Sequence, residues 1–218
     1  MNKKKYIYSI LLNLVIVIST IIIVYNGVTS GAGEGQVGIY LSGIAYFIPY
    51  TVDSNVLCAL ASLVMIVFSI RCLMNKKSTI PKWATTFKLA GATSLSLTLI
   101  VVTIFLGPIQ VLQGKSYFNM FAGEMIFLHL LNPLIAAYSI MFIEKENKLD
   151  KKDHIIALIP TIIYAIVYTT MVVILKRWVD FYYFTFGGRY YLIPIVYIFI
   201  LSIIYFTTKL FIKNHNKK

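Results

Sequence analysis

A threonine, a histidine and two asparagines stand inside apolar stretches of this sequence, at spacings that suit acyl transfer. Thr51 and Asn55 are four residues apart, and His129 and Asn132 three apart, so each pair shares a helix face. Thr51 lies about seven residues into its apolar stretch and His129 about nine into another that runs in the same direction. At ~1.5 Å of rise per residue, both fall roughly 10–14 Å below the same edge. A hydroxyl nucleophile, an imidazole base and amide donors for an oxyanion are the parts of nucleophilic ester or amide cleavage. Ionisable groups at such depth are costly and mark function by default, which adds Asp53 (with Ser54 beside it) and Glu124 as supporting candidates. Each also has a structural reading. Ser, Thr and Asn join helices, and a carboxylate four residues into a span can rest at headgroup level.

The elements that must hold these residues are membrane helices. The chain has 218 residues, of which 59% are hydrophobic and only 13% charged, where a soluble domain carries roughly 25% charge. Six apolar stretches, at about 6–25, 44–74, 83–106, 120–143, 155–175 and 190–212, each have the ~20 residues that cross ~30 Å of hydrocarbon. The expectation is an all-α bundle of six transmembrane helices forming one domain over residues 1–218. The first stretch follows Lys3, Lys4 and Lys5, but it is longer than a signal-peptide core and lacks a clean cleavage site, so it is read as a retained span. With the N-terminus inside, sixteen Lys and Arg fall in inner segments and four in outer loops, which places both termini in the cytoplasm. The net charge of +12 is therefore topological and does not predict nucleic-acid binding.

Other motifs predict little chemistry. Gly33-Glu34-Gly35-Gln36-Val37-Gly38 is formally a dinucleotide-binding glycine pattern, but it follows a membrane helix and lacks the βαβ context, so it reads as a link. Cys58 and Cys72 lie 14 residues apart in one predicted helix, roughly 21 Å of rise, too far for a disulfide. One intramembrane histidine and scattered carboxylates predict no metal, and no cofactor signal is present. The aromatic run Trp178 to Tyr191 has the composition of an interfacial belt, with a lid over an outward-facing lipid pocket as its functional alternative.

Three segments add a resemblance. Tyr50-Thr51-Val52-Asp53-Ser54-Asn55-Val56-Leu57 resembles the F-T-x-x-S-N-(L/V)-L segment of a family of bacterial integral membrane proteins. Phe127-Leu128-His129-Leu130-Leu131-Asn132-Pro133-Leu134 resembles their L-H-x-x-x-P-L segment. Tyr164, Tyr168 and the stretch Trp178 to Gly188 are similar to a Y-x-x-x-Y and Y-P-F region ahead of the last span, although Asp180-Phe181-Tyr182 lacks the proline. Those proteins look related to the androgen-induced-gene family of intramembrane threonine hydrolases, which cleave branched fatty-acid esters of hydroxy fatty acids. The resemblance implies Thr51 as nucleophile, His129 as its base, membrane lipids as surroundings and a lipid ester as substrate. It also implies a bacterial plasma membrane location. Two other functions fit the sequence: a small transporter or channel using Asp53, Glu124 and His129, and a non-catalytic lipid- or protein-binding membrane protein.

Overall fold

The computed structural model describes residues 3–34, 39–75 and 77–217. Lys76 and Lys218 of the charge tally, and Gly35 to Gly38 of the glycine pattern, lie outside them. The chain is helical apart from a two-stranded antiparallel ribbon, β1 (Ala32–Glu34) paired with β2 (Ile39–Leu41). Gly33 and Glu34 sit in that ribbon.

Among the described residues five helices are long and apolar enough to cross a membrane: α1 (Lys3–Ser30), α2 (Tyr50–Met74), α3 (Lys82–Leu112), α5 (Lys151–Ile174) and α6 (Tyr190–His215). The fourth apolar stretch forms a shorter helix, α4 (Phe127–Ile143). Its residues span roughly 25 Å, short of the ~30 Å of hydrocarbon. The stretch expected from 120 begins instead with a 3-10 turn, Tyr117–Phe121, and the second expected span opens with another, Gly43–Phe47, ahead of α2. Pro49 and Pro81 precede α2 and α3 in extended conformation, where a missing N–H costs nothing. At α5 the Asp150 carboxylate accepts the N–H groups of Lys152 and Asp153, while Asp153 accepts that of Asp150. This reciprocal cap starts the helix at 151.

Burial is inverted relative to a soluble protein. Ser9, Asn13, Thr20, Asn55, Ser62, Ser69, Thr93 and Asn132 are buried, while Ile18, Ile21, Leu60, Ile104, Ile195, Ile198 and Phe206 are exposed. Apolar groups outward and small polar groups between helices is the pattern that lipid as solvent imposes. Small residues also set the approach of α2 and α3: a methyl group on Gly91 would lie 2.8 Å from Cys58 Cα. Cys58 and Cys72 are both free and buried.

Hydrogen bonds fix the helix directions around the site. Asn132 bonds Asn55 near the starts of α4 and α2. Further along the same two helices, Glu144 and Ser69 both bond Ser9 of α1. So α2 and α4 run parallel, with α1 antiparallel to both.

Candidate functional site

The site grows from a proline. The segment Phe127–Leu131 is wound as a π-helix, in which Asn132 donates its N–H to the Phe127 carbonyl five residues back. Continuing that pattern, Pro133 would donate to Leu128, but proline has no N–H. The Asn55 amide fills the vacancy, bonding Leu128 O at 3.2 Å and, with its other hydrogen, Thr51 O at 2.8 Å. Asn132 then donates to Asn55 Oδ1 at 3.0 Å and to Thr20 Oγ1 at 3.4 Å, and accepts from Ser19 at 3.0 Å. A break in one helix is thus sealed by side chains from two others, the usual repair at membrane depth.

With α2 and α4 joined at Asn55 and Asn132, Thr51 and His129 each lie about one turn before that joint on their own helix, and His129 is not among the residues that line the cavity beside Thr51. His129 is completely buried. Its Nδ1 lies 2.6 Å from the Met120 carbonyl. A carbonyl only accepts, so Nδ1 carries the proton and Nε2 of the neutral ring is the lone-pair nitrogen. That Nε2 is buried and makes no hydrogen bond.

Thr51 differs from the threonines that close on their own helix. Thr29, Thr86, Thr103, Thr169, Thr170 and Thr208 each bond the carbonyl four residues back. Thr51 is the second residue of α2 and has no preceding helical turn to bond. Its hydroxyl makes no hydrogen bond among the described residues. It lines a cavity of about 40 Å³ together with Thr98, Tyr164, Tyr168, Tyr182 and Phe184. That space holds a few waters. Val101, Phe184 and Ile200 also form walls of a lipid-facing groove of about 400 Å³ between α3 and α6.

The remaining expected residues divide. Ser54 belongs to the site's frame, donating to Thr51 O at 3.1 Å and meeting Thr98 Oγ1 at 2.9 Å. Asn55 and Asn132 have both amide hydrogens committed to the frame. Asp53 does not reach His129; it lines a separate groove between α2 and α5. Glu124 precedes α4, is exposed, and accepts from Asn26 at 2.8 Å. The imidazole is oriented by a backbone carbonyl and not by either carboxylate. No hydrogen bond joins Thr51 to His129.

The aromatic run after α5 divides, with Phe186, Tyr190 and Tyr191 exposed as a belt would have them and three other rings turned inward. Phe181, Tyr182 and Phe184 are buried, against the expectation of a belt, and Tyr182 and Phe184 roof the Thr51 cavity. Asp180 holds the fold of this roof, accepting from Tyr168 Oη at 2.7 Å and from the N–H groups of Phe184 and Thr185 at 3.0 and 2.7 Å. Tyr182 Oη accepts the Tyr50 N–H at 2.8 Å, tying the roof to the first turn of α2.

Sequence reading missed a second polar cluster toward the other end of the bundle. Lys88 and Glu144 are both completely buried. Lys88 Nζ donates to Asn13 Oδ1 at 2.6 Å and Ser62 Oγ at 2.7 Å. Asn13 Nδ2 and Ser9 Oγ donate to Glu144 Oε1 at 2.6 and 2.8 Å. Asn13 thereby bridges two opposite charges. The pairing leaves one trace in the sequence, an asparagine and a lysine each well inside a helical stretch.

Among the described residues no cluster of His, Cys, Asp and Glu suits a metal ion. Compared with protein-family models, curated proteins and solved structures, the chain matches none.

Proposed function

We propose that this chain is a six-span protein of a bacterial plasma membrane, with both termini cytoplasmic, that hydrolyses fatty-acyl esters through Thr51 and His129. The reading joins the resemblance to the androgen-induced-gene hydrolases with one observation that carries it. A fully buried imidazole, its Nδ1 proton fixed on the Met120 carbonyl, keeps Nε2 without a partner among the described residues, on the helix that Asn132 joins to the helix of Thr51. His215, by contrast, has both nitrogens bonded, to the carbonyls of Ile140 and Asn147.

In the proposed reaction Thr51 Oγ attacks the ester carbonyl and its proton passes to His129 Nε2. Collapse of the tetrahedral intermediate releases the alcohol, which takes that proton, and leaves acyl-Thr51. Water, deprotonated by the same nitrogen, frees the fatty acid and restores the hydroxyl. The ester enters from the lipid-facing groove between α3 and α6, past Val101 and Ile200. The resting cavity admits water only, so Phe184 and Tyr182 must swing aside for an acyl group. Asn55, Asn132 and Ser54 act as positioning residues.

The test is turnover of a long-chain aryl ester by the purified protein in lipid nanodiscs. Thr51→Ala and His129→Ala should each lower kcat by about 1000-fold or more, and Thr51→Ser should keep measurable activity. Wild-type turnover in Thr51→Ala would remove the threonine from the chemistry.

A further inference from the structure

We infer that the groove between α2 and α5 is a binding site for the alkylated ammonium headgroup of a membrane lipid, with Asp53 as its counter-charge. The inference does not depend on hydrolysis at Thr51. Asp53 and Thr51 are two residues apart on one helix and so point to different sides. Asp53 lines this groove of about 410 Å³ with Tyr164, Trp178 and Ser94.

Three observations define the ligand. First, the Asp53 carboxylate forms no ion pair and no side-chain hydrogen bond among the described residues. The start of α2 favours a negative charge there, but nothing supplies the positive partner that a carboxylate at membrane depth requires. Lys176 and Arg177, adjacent to Trp178 in sequence, are exposed and form no ion pair. Second, the other hydroxyls on the groove are engaged within the protein, Ser54 with Thr51 O and Thr98 Oγ1 and Ser94 beside Tyr50. Third, Tyr50, Tyr164 and Trp178 line the groove together with Asp53. Tyr164 stands edge-on to Tyr50 with ring centroids 4.9 Å apart, and Trp178 packs near Tyr168 at 6.5 Å.

A carboxylate among aromatic faces attracts a cation. A primary ammonium would need three acceptors, and this largely apolar groove does not offer them. A trialkylated ammonium needs none for its methyl groups and gains from the ring faces. The lower walls choose a lipid over a free ion: Ile163 and Val167 are exposed along α5 below the polar end, a surface suited to an acyl chain.

The experiment uses the full chain with Trp83→Phe, so that Trp178 is the sole indole, in phosphatidylglycerol nanodiscs. Lysophosphatidylcholine is titrated in while Trp178 emission is followed, with lysophosphatidylglycerol of equal chain length as control. A saturable change is expected for the choline lipid alone, shifted about tenfold to weaker binding by Asp53→Asn. Tyr164→Leu should weaken it as well, which keeps the test intact where Asp53→Asn fails to fold. Equal responses to the two lipids, or titrations unchanged in both variants, would overturn the site. A response to tetramethylammonium with none to the choline lipid would overturn the headgroup assignment in favour of a free ion.

Discussion

At the scale of residues, the difference between a structural and a reactive polar group is whether its bonding capacity is spent. Asn55 and Asn132 spend theirs; His129 Nε2 does not. Residue type and depth along the chain make Thr51 and His129 candidates in the sequence; the structure adds the buried, unpartnered His129 Nε2. The Met120 carbonyl that fixes the imidazole has no sequence signature, since any residue can supply a backbone oxygen. Lys88 was hidden for another reason. Counting positive charges assigns a lysine six residues inside a helix to the inner edge, whereas Asn13 and Ser62 draw it into the interior. Breaking one half of a buried charge pair leaves the other uncompensated, so Lys88→Met should destabilise the protein by about 3–5 kcal/mol. Combining it with Glu144→Gln should recover much of that loss, measured by reversible denaturant unfolding in mixed micelles. Additive losses would show that Asn13 does not couple the two charges.

At the scale of elements, the six apolar stretches reappear as helices, with their ends moved by caps and prolines that hydropathy does not weigh. The fourth differs most, because Pro133 and the π-wound turn before it shorten and reshape the helix that carries His129. The repair by Asn55 predicts that Asn55→Leu leaves Leu128 O and an Asn132 donor unsatisfied, at a cost of about 2–4 kcal/mol in unfolding free energy. The same variant should lower esterase turnover, since Thr51 and His129 lose their shared frame. Close packing gives an independent check on the α2–α3 pair. Gly91→Ala places a methyl 2.8 Å from Cys58 Cα, which is backbone and cannot turn aside. A loss of about 1–3 kcal/mol is expected. The inward turn of Phe181, Tyr182 and Phe184 could not be read from composition, because aromatic residues serve a belt and a roof equally well. Asp180, with its three acceptor contacts, decides between them.

For the whole molecule, charge distribution and buried polarity describe one object: a bundle whose outside is solvated by lipid and whose inside holds two polar clusters. The proposed six-span topology predicts that reporters fused at residue 218 and at the Asn147 loop are both cytoplasmic, and that one inserted after Gly114 is exported. One surface contact makes folding sensitive to acid. The Lys82 ammonium, 2.6 Å from Asp150, together with the backbone N–H groups of Lys152 and Asp153, holds the Asp150 carboxyl down at about 2 from an ordinary 3.8. A carboxyl lowered on folding contributes stability above its unfolded value and loses it as pH falls, so the α5 cap should weaken between about pH 4 and pH 2. Asp150→Asn should flatten that part of the unfolding profile.

The account as a whole stands on a reactive hydroxyl at Thr51, and covalent trapping tests this most directly. Purified protein treated with a long-chain fluorophosphonate should gain one adduct, found by peptide mass spectrometry on Thr51 and absent from His129→Ala and Thr51→Ala. An adduct on another residue, or equal labelling of the His129→Ala variant, would contradict it.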